Sequence, residues 1–395
     1  MLQNPKFQIS LSLSLLFLGG IIFGLFGRLI IKDQGLASPF TGITQILPRQ
    51  VKVVGFVPYW LLDKPSIGSA PITQLSYFSL TLDSDGTVKR QVNAQEEEPG
   101  WTAFTRNQSL TNILANAKNQ KKGLSLTVFS GNQATIESLI TNPERNADNL
   151  VADVVPIMQR GGFSDLNLDV ESIVSASPSA QANFTRFVAR IKKGLSASGS
   201  ATLTLDLQPI SLFQPYLSDP LALGQIVDYI VLMTYDFHFP GSVLAGPVAP
   251  MGGAGSTRVF DVQSSLNAAL KEIPRTKILL GIPLYGYEWQ TIDGRPDAPT
   301  IPGTGFLASD SRVAQVIDSC TNCTKGLDQV AQEPYLFYPE STHFHEIYYE
   351  DNQSIQAKID LAKNTGIGGV ALWAIGYENN SDFTPLKNYL GSISL

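Results

Sequence analysis

From Val51 onward, eight short β-branched apolar runs alternate with amphipathic segments. The runs are Val51–Val57, Gln74–Thr81, Leu124–Phe129, Asp165–Val170, Thr202–Leu207, Val227–Met233, Ile278–Pro283 and Gly368–Trp373. Stretches with a helical apolar period separate them, among them Leu110–Lys118, Asn149–Gln159, Ala182–Leu195, Val262–Ile273 and Ser354–Asn364. Strands that alternate with helices form a parallel sheet covered on both faces. Eight of them predict an α/β fold, a closed (β/α)8 TIM barrel. A doubly wound open sheet is the rival. It usually places a glycine-rich phosphate loop after its first strand, whereas here that strand ends Val57-Pro58-Tyr59-Trp60.

The gap between the seventh and eighth runs is about 85 residues, roughly double the others. It contains Tyr335-Leu336-Phe337-Tyr338 and Glu346-Ile347-Tyr348-Tyr349, which read as further strands. Loops beyond about 15 residues are rarely structureless inside a compact domain. A small α+β insertion over about 288–345 is therefore expected inside a barrel spanning 51–395. Twenty-eight Lys and Arg against 34 Asp and Glu give a net charge of −6 without a basic run. Nucleic acid is excluded as a partner, because phosphate binding needs clustered positive charge. With 2 cysteines and 3 histidines the chain has no material for a four-thiolate zinc site or a histidine-rich centre. No metal or organic cofactor is expected, and a monomer is.

Residues 1–32 are a separate matter. Ile9–Phe26 carry no charge, and continuing to Ile31 crosses only Arg28. About 20 such residues span a bilayer core, and the h-region of a signal peptide is shorter, about 7–15. An uncleaved membrane anchor is the favoured reading. A signal removed near Gly35-Leu36-Ala37 is the alternative, and a buried helix of the folded body is the third. Lys6 on one side and Arg28 and Lys32 on the other leave orientation open. Residues 33–50 read as a linker. The body is expected outside the cytoplasm, either anchored or secreted.

The fourth run is the most informative. In Asp165-Leu166-Asn167-Leu168-Asp169-Val170-Glu171 the side chains alternate faces. Leu166, Leu168 and Val170 share one face, which suits the helix layer. Asp165, Asn167, Asp169 and Glu171 share the other, which points to the barrel axis. Unpaired buried carboxylates cost several kcal/mol each, or else take up protons. A half-exposed strand with its polar face in water is the bland alternative. In a barrel, Glu171 falls at the C-terminal end of the strand, where such folds keep their chemistry. Asp169 beside it would raise its pKa, so Glu171 could hold a proton near neutrality and act as a general acid.

With these residues the chain resembles glycoside hydrolase family 18, the chitinase-like barrels, and within it the spore-cortex and cell-wall N-acetylglucosaminidase branch. The family's fourth strand reads Asp-x-x-Asp-x-Asp-x-Glu, and the matching positions here are Ser164, Asn167, Asp169 and Glu171. Val54–Trp60, Met233-Thr234-Tyr235-Asp236, Gly281–Trp289, Tyr348–Asp351 and Gly368–Trp373 resemble further family segments in the right order. The resemblance implies hydrolysis of β-1,4 links next to an N-acetylhexosamine, with retention, in peptidoglycan first and chitin second. The substrate's 2-acetamido oxygen would be the nucleophile. Glu171 would protonate the leaving oxygen and then activate water. Asp169 would orient the acetamido group and stabilise the oxazolinium charge. Tyr235 would donate to the acetamido oxygen, and Asp236 would help position the group. Trp373 would floor the sugar site, with Asn167 beside the acids and Tyr285 and Trp60 as further walls. For the last two, packing is an equal reading. A non-hydrolytic, lectin-like barrel is the alternative function.

Two weaker signals remain. Cys320-Thr321-Asn322-Cys323 reads as a local disulfide, with free thiols or half a zinc site as alternatives. His343 and His345 share a strand face and read as a surface pair.

Overall fold

The computed structural model describes residues 51–199, 201–256, 259–378 and 383–392. The anchor, signal and linker readings of residues 1–50 lie outside the described residues. Among the described residues no helix is long and apolar enough to cross a membrane.

Eight parallel strands close into a barrel. In chain order the first seven are β1 (Lys52–Pro58), β2 (Gln74–Thr81), β3 (Gly123–Ser130), β4 (Asp165–Val170), β5 (Thr202–Leu207), β6 (Tyr229–Leu232) and β7 (Ile278–Pro283). An inserted antiparallel sheet follows, made of β8 (Gly286–Thr291), β9 (Phe306–Ala308), β10 (Thr324–Asp328), β11 (Glu333–Glu340) and β12 (His343–Tyr348). The barrel then closes through β13 (Gly369–Trp373), which pairs with both β1 and β7. The sequence runs and the barrel strands coincide to within a residue or two at each end, because the β-branched alternation that marks them is what parallel strands need when both faces are covered.

Helices between the strands begin where the chain supplies caps. Asn107, Asn132, Ser177, Asp219, Asp261 and Asp351 each accept a backbone N–H of the first turn from their side chains. Among the described residues the longest helices, α1 (Pro143–Gly161) and α2 (Pro178–Ser198), lie on either side of β4 in the chain. Their apolar stripes, including Leu150, Val154, Phe187 and Ile191, pack in one core with Leu166, Leu168 and Val170 of β4. That layer holds one face of β4 against the helices and directs the other to the axis.

The inserted sheet has the order β9-β8-β12-β11-β10 and carries one helix, α3 (Asp310–Ser319). Val313 and Val316 of α3 pack on Ala308, Leu336 and Ile347. Cys320 and Cys323 are joined as a disulfide just past that helix. His345 corrects the surface-pair reading. It is 6% exposed, its Nδ1 lies 2.7 Å from Glu288 Oε1 and its Nε2 lies 2.7 Å from Glu340 Oε2. Arg312 completes the cluster with two bonds to Glu288, at 2.7 and 2.8 Å. Glu333 of β11 accepts the backbone N–H groups of Val248 and Ala249 at 2.6 and 2.9 Å, which ties the loop after β6 to the inserted sheet.

Candidate active site

The inward face of β4 is polar along its whole length and entirely buried. Its registers place Asp165 between Ser125 and Thr202, Asn167 between Thr127 and Thr204, and Asp169 beside Phe129. The four polar residues have different surroundings. Asp165, deepest, is fully wired: it accepts from Ser125 at 2.6 Å, Thr204 at 2.9 Å and Gln74 at 3.2 Å, and also from Thr202. Lys52 closes this floor with a 2.6 Å bond to Gln74.

Asn167 donates through Nδ2 to Asp206 Oδ1 of β5 at 2.7 Å, while its own Oδ1 is buried without a donor. Asp169 is 3% exposed, and its Oδ1 has no hydrogen-bond partner among the described residues. Burial first, then the neighbouring Glu171 and Asp206 charges, push its pKa well above the carboxylate range. Glu171, just past the strand end, is half-buried and receives a long 3.4 Å bond from Gln208 Nε2. Burial and then the Asp236 charge raise its pKa, with the Gln208 bond opposing. Glu171 and Asp169 are thus two neighbouring acids, and among the described residues no cation is hydrogen-bonded to either.

Tyr235 and Asp236 follow β6. The Tyr235 ring packs against two buried clusters, one holding Val231, Met233 and Leu279 and the other Ala245, Val248 and Tyr285, and among the described residues its hydroxyl makes no hydrogen bond. Burial, then the Asp206, Asp169, Glu171 and Asp236 charges, hold the phenol protonated. Asp236 has a φ of 57°, in the left-handed region, and accepts from the hydroxyls of Tyr285 at 2.5 Å and Tyr287 at 2.9 Å. Burial raises its pKa, and both phenols lower it.

Trp373 ends β13 at the mouth of the barrel. Its ring meets Phe78 at 4.6 Å, Phe56 at 5.7 Å and Trp60 at 6.4 Å between centroids. Trp60 is 47% exposed and donates through Nε1 to the Tyr377 hydroxyl at 3.2 Å. For Tyr285, where wall and packing are equal readings of the sequence, the structure gives packing. The residue is 1% exposed and its hydroxyl is spent on Asp236. It restrains the Asp236 carboxylate through that bond.

Glu171, Asp169, Asn167, Tyr235, Asp236, Trp373 and Trp60 therefore gather at the C-terminal end of the barrel. Asp206, Gln208, Tyr287 and Tyr377 join them and were not singled out from the sequence. Asp206 and Gln208 occupy alternate positions of β5 and its extension, the same period-two signal that exposes β4. Tyr287 lies in the stretch Gly281–Trp289 that resembles a family segment, at a point where the chain has already passed from β7 into β8. Among the described residues no group of three or more His, Cys, Asp or Glu is arranged to hold a metal ion.

Residues 52–378 match the model of the glycosyl hydrolases family 18. The chain is 29% identical over 317 residues to the cortical fragment-lytic enzyme of Bacillus cereus, covering 77% of this chain and 65% of that one. It is 31% identical over 278 residues to the enzyme of the same name from Bacillus subtilis (strain 168), covering 68% of this chain and 60% of that one. The matches thus span less than two thirds of either relative. The solved group IV chitinase of Ostrinia furnacalis has the same fold, with a TM-score of 0.73 at 17% identity over 87% of this chain and 99% of that one. A match over most of the barrel, on an acid-bearing fourth strand, settles the family: the chain belongs to glycosyl hydrolase family 18.

Proposed function

We propose that the protein hydrolyses β-1,4 glycosidic links next to an N-acetylhexosamine, with retention and with the substrate's acetamido oxygen as nucleophile. The observation that carries this reading is Glu171 at the end of β4, held toward its protonated form two residues after a buried, unpartnered Asp169. In this reading Glu171 gives its proton to the leaving oxygen and later accepts one from water. Asp169 accepts the acetamido N–H and stabilises the oxazolinium cation. A buried carboxylate lacking a protein donor is suited to that task, because the ligand supplies the missing bond. Tyr235 donates its free hydroxyl to the acetamido group. Asp236 orients the group, and Trp373 carries the C–H face of the sugar, with Trp60 next along the groove.

Peptidoglycan is the first substrate proposed and chitin the second. The two Bacillus relatives, both named as cortical fragment-lytic enzymes, support that order. Action outside the cytoplasm, with residues 1–32 holding the body at the membrane, follows from the same reading and from the uncharged stretch Ile9–Phe26.

Incubating the full-length chain with peptidoglycan and with chitin oligomers, followed by mass analysis of the products, tests the reading. Reducing-end fragments with intact N-acetyl groups are expected. Tight binding of both polymers without new ends would replace hydrolysis by a lectin-like function.

A further inference from the structure

We propose that Asp206 shares a single proton with Asp169, and that it is a positioning residue for the reaction proposed above, on which this inference rests. The β4–β5 register pairs Asn167 with Thr204 and Leu168 with Leu205, so the next inward pair along the strands is Asp169 and Asp206. Asp206 is 5% exposed, and Asn167 Nδ2 fixes its Oδ1 at 2.7 Å. Asp169 beside it has a buried oxygen with no donor.

Asn167 is an amide and cannot hold or release a proton at ordinary pH. The titratable side chain at the inward position adjacent to Asp169 on β5 is Asp206, and its charge acts directly on Asp169. Two buried carboxyls so placed cannot both ionise, and they titrate as a pair. The groups facing Asp206 are Asp165, Asp169 and Glu171 from β4 and Tyr235 after β6, all of them acids. Asp165 is spent on four hydrogen bonds at the barrel floor and is not available as a partner.

The pair carries one negative charge throughout. As the acetamido N–H becomes the oxazolinium cation, the charge sits on Asp169 and the proton on Asp206. When water opens the oxazolinium, the shared state returns and no proton is gained or lost. Asn167 holds Asp206 in place for this exchange by donating one bond and taking no charge.

Full-length Asp206→Asn and the double variant Asn167→Asp/Asp206→Asn test the proposal. Asp206→Asn keeps the shape and the bond from Asn167. It should lower turnover tenfold or more and move the acid limb of the kcat/KM profile down by about one pH unit, because Asp169 loses its like-charged neighbour. The double variant returns the carboxylate to β4 and should restore the limb. Carboxyl ¹³C titration without substrate should show Asp169 and Asp206 titrating in two joint steps in the wild type, and Asp169 in one lower step in Asp206→Asn. An unmoved limb, or a double variant that fails to restore it, overturns the proposal, as does independent titration of the two acids in the wild type. If the wild type cleaves no glycan, the functional reading fails, and the titration still decides the pairing.

Discussion

The Tyr287 hydroxyl donates to Asp236 Oδ1 at 2.9 Å, which joins the first strand of the inserted sheet to the loop after β6. Tyr285 adds a second bond to the same oxygen at 2.5 Å. Asp236 has a left-handed backbone, which costs a non-glycine residue about 1 kcal/mol and persists only where the surroundings fix it. Tyr287→Phe removes one of the two restraints. A hydrogen bond to a charged group is worth about 1.5–3 kcal/mol. We expect kcat/KM on an N-acetylglucosamine oligomer to fall about tenfold, equivalent to about 1.4 kcal/mol, with a small loss in melting temperature. The Asp236 pKa should rise further, because both phenols oppose the effect of burial. Unchanged kinetics in a folded variant would show that the bond does not help place Asp236.

Glu171→Gln keeps the shape at the end of β4 and the contact with Gln208, and it removes only the proton donor. A positioned acid or base contributes about 10²–10⁴ in rate. Turnover should fall by at least that factor while oligomer binding, measured by calorimetry, stays within about threefold, or 0.65 kcal/mol. Turnover at the wild-type rate would remove Glu171 from the role proposed for it.

How much of this was legible in the sequence depends on how far apart the partners lie in the chain. The inward set of β4 is local, because a period-two pattern alone puts Asn167 and Asp169 on the axis and Leu166 and Leu168 under the helices. The same alternation puts Asp206 on the axis side of β5, but only the β4–β5 register places it beside Asp169. Tyr285 reads equally as a wall of the sugar site and as packing, since the sequence does not say which way the ring faces. Its burial follows from the chain turning there into β8, which no local pattern announces. His345 was misread for the same reason. The spacing to His343 is local, but its partner Glu288 is 57 residues away on a neighbouring strand.

The Glu288 cluster gives a stability profile with two edges. Despite burial, the bonds from His345, Arg312 and Tyr338 hold the Glu288 carboxyl down at about 2. Its folded pKa lies below the ordinary glutamate value of 4.5, so its contribution is present above that value and lost as pH falls toward about 2. His345 is shifted the other way, chiefly by its bond to Glu288. Its contribution is complete below the unfolded value of about 6.5 and is lost as pH rises through the raised folded pKa. His345→Asn should therefore cost about 1–3 kcal/mol at pH 5.5 and clearly less at pH 9, read from urea midpoints. An equal loss at both pH values would mean that the histidine acts by packing alone.

Asp169 runs against the stability of the fold. Burial raises its pKa most, and the charges of Glu171 and Asp206 raise it further. The folded chain therefore keeps a proton that the unfolded chain releases above about pH 3.9. Stability from this group is complete below that value and declines as pH rises toward the folded pKa. Asp169→Asn removes the penalty and keeps the volume. It should melt higher than the wild type at pH 8, by about 2 °C for each kcal/mol recovered, and at the same temperature as the wild type near pH 4. Turnover of the same protein should fall sharply, because the carboxylate that would face the oxazolinium is gone. A variant that is faster or equally fast, or one that melts lower at pH 8, would mean that the missing hydrogen bond at Asp169 is not reserved for a ligand. A gain in stability coupled to a loss in rate is the pattern expected when a fold carries a destabilising group for its chemistry.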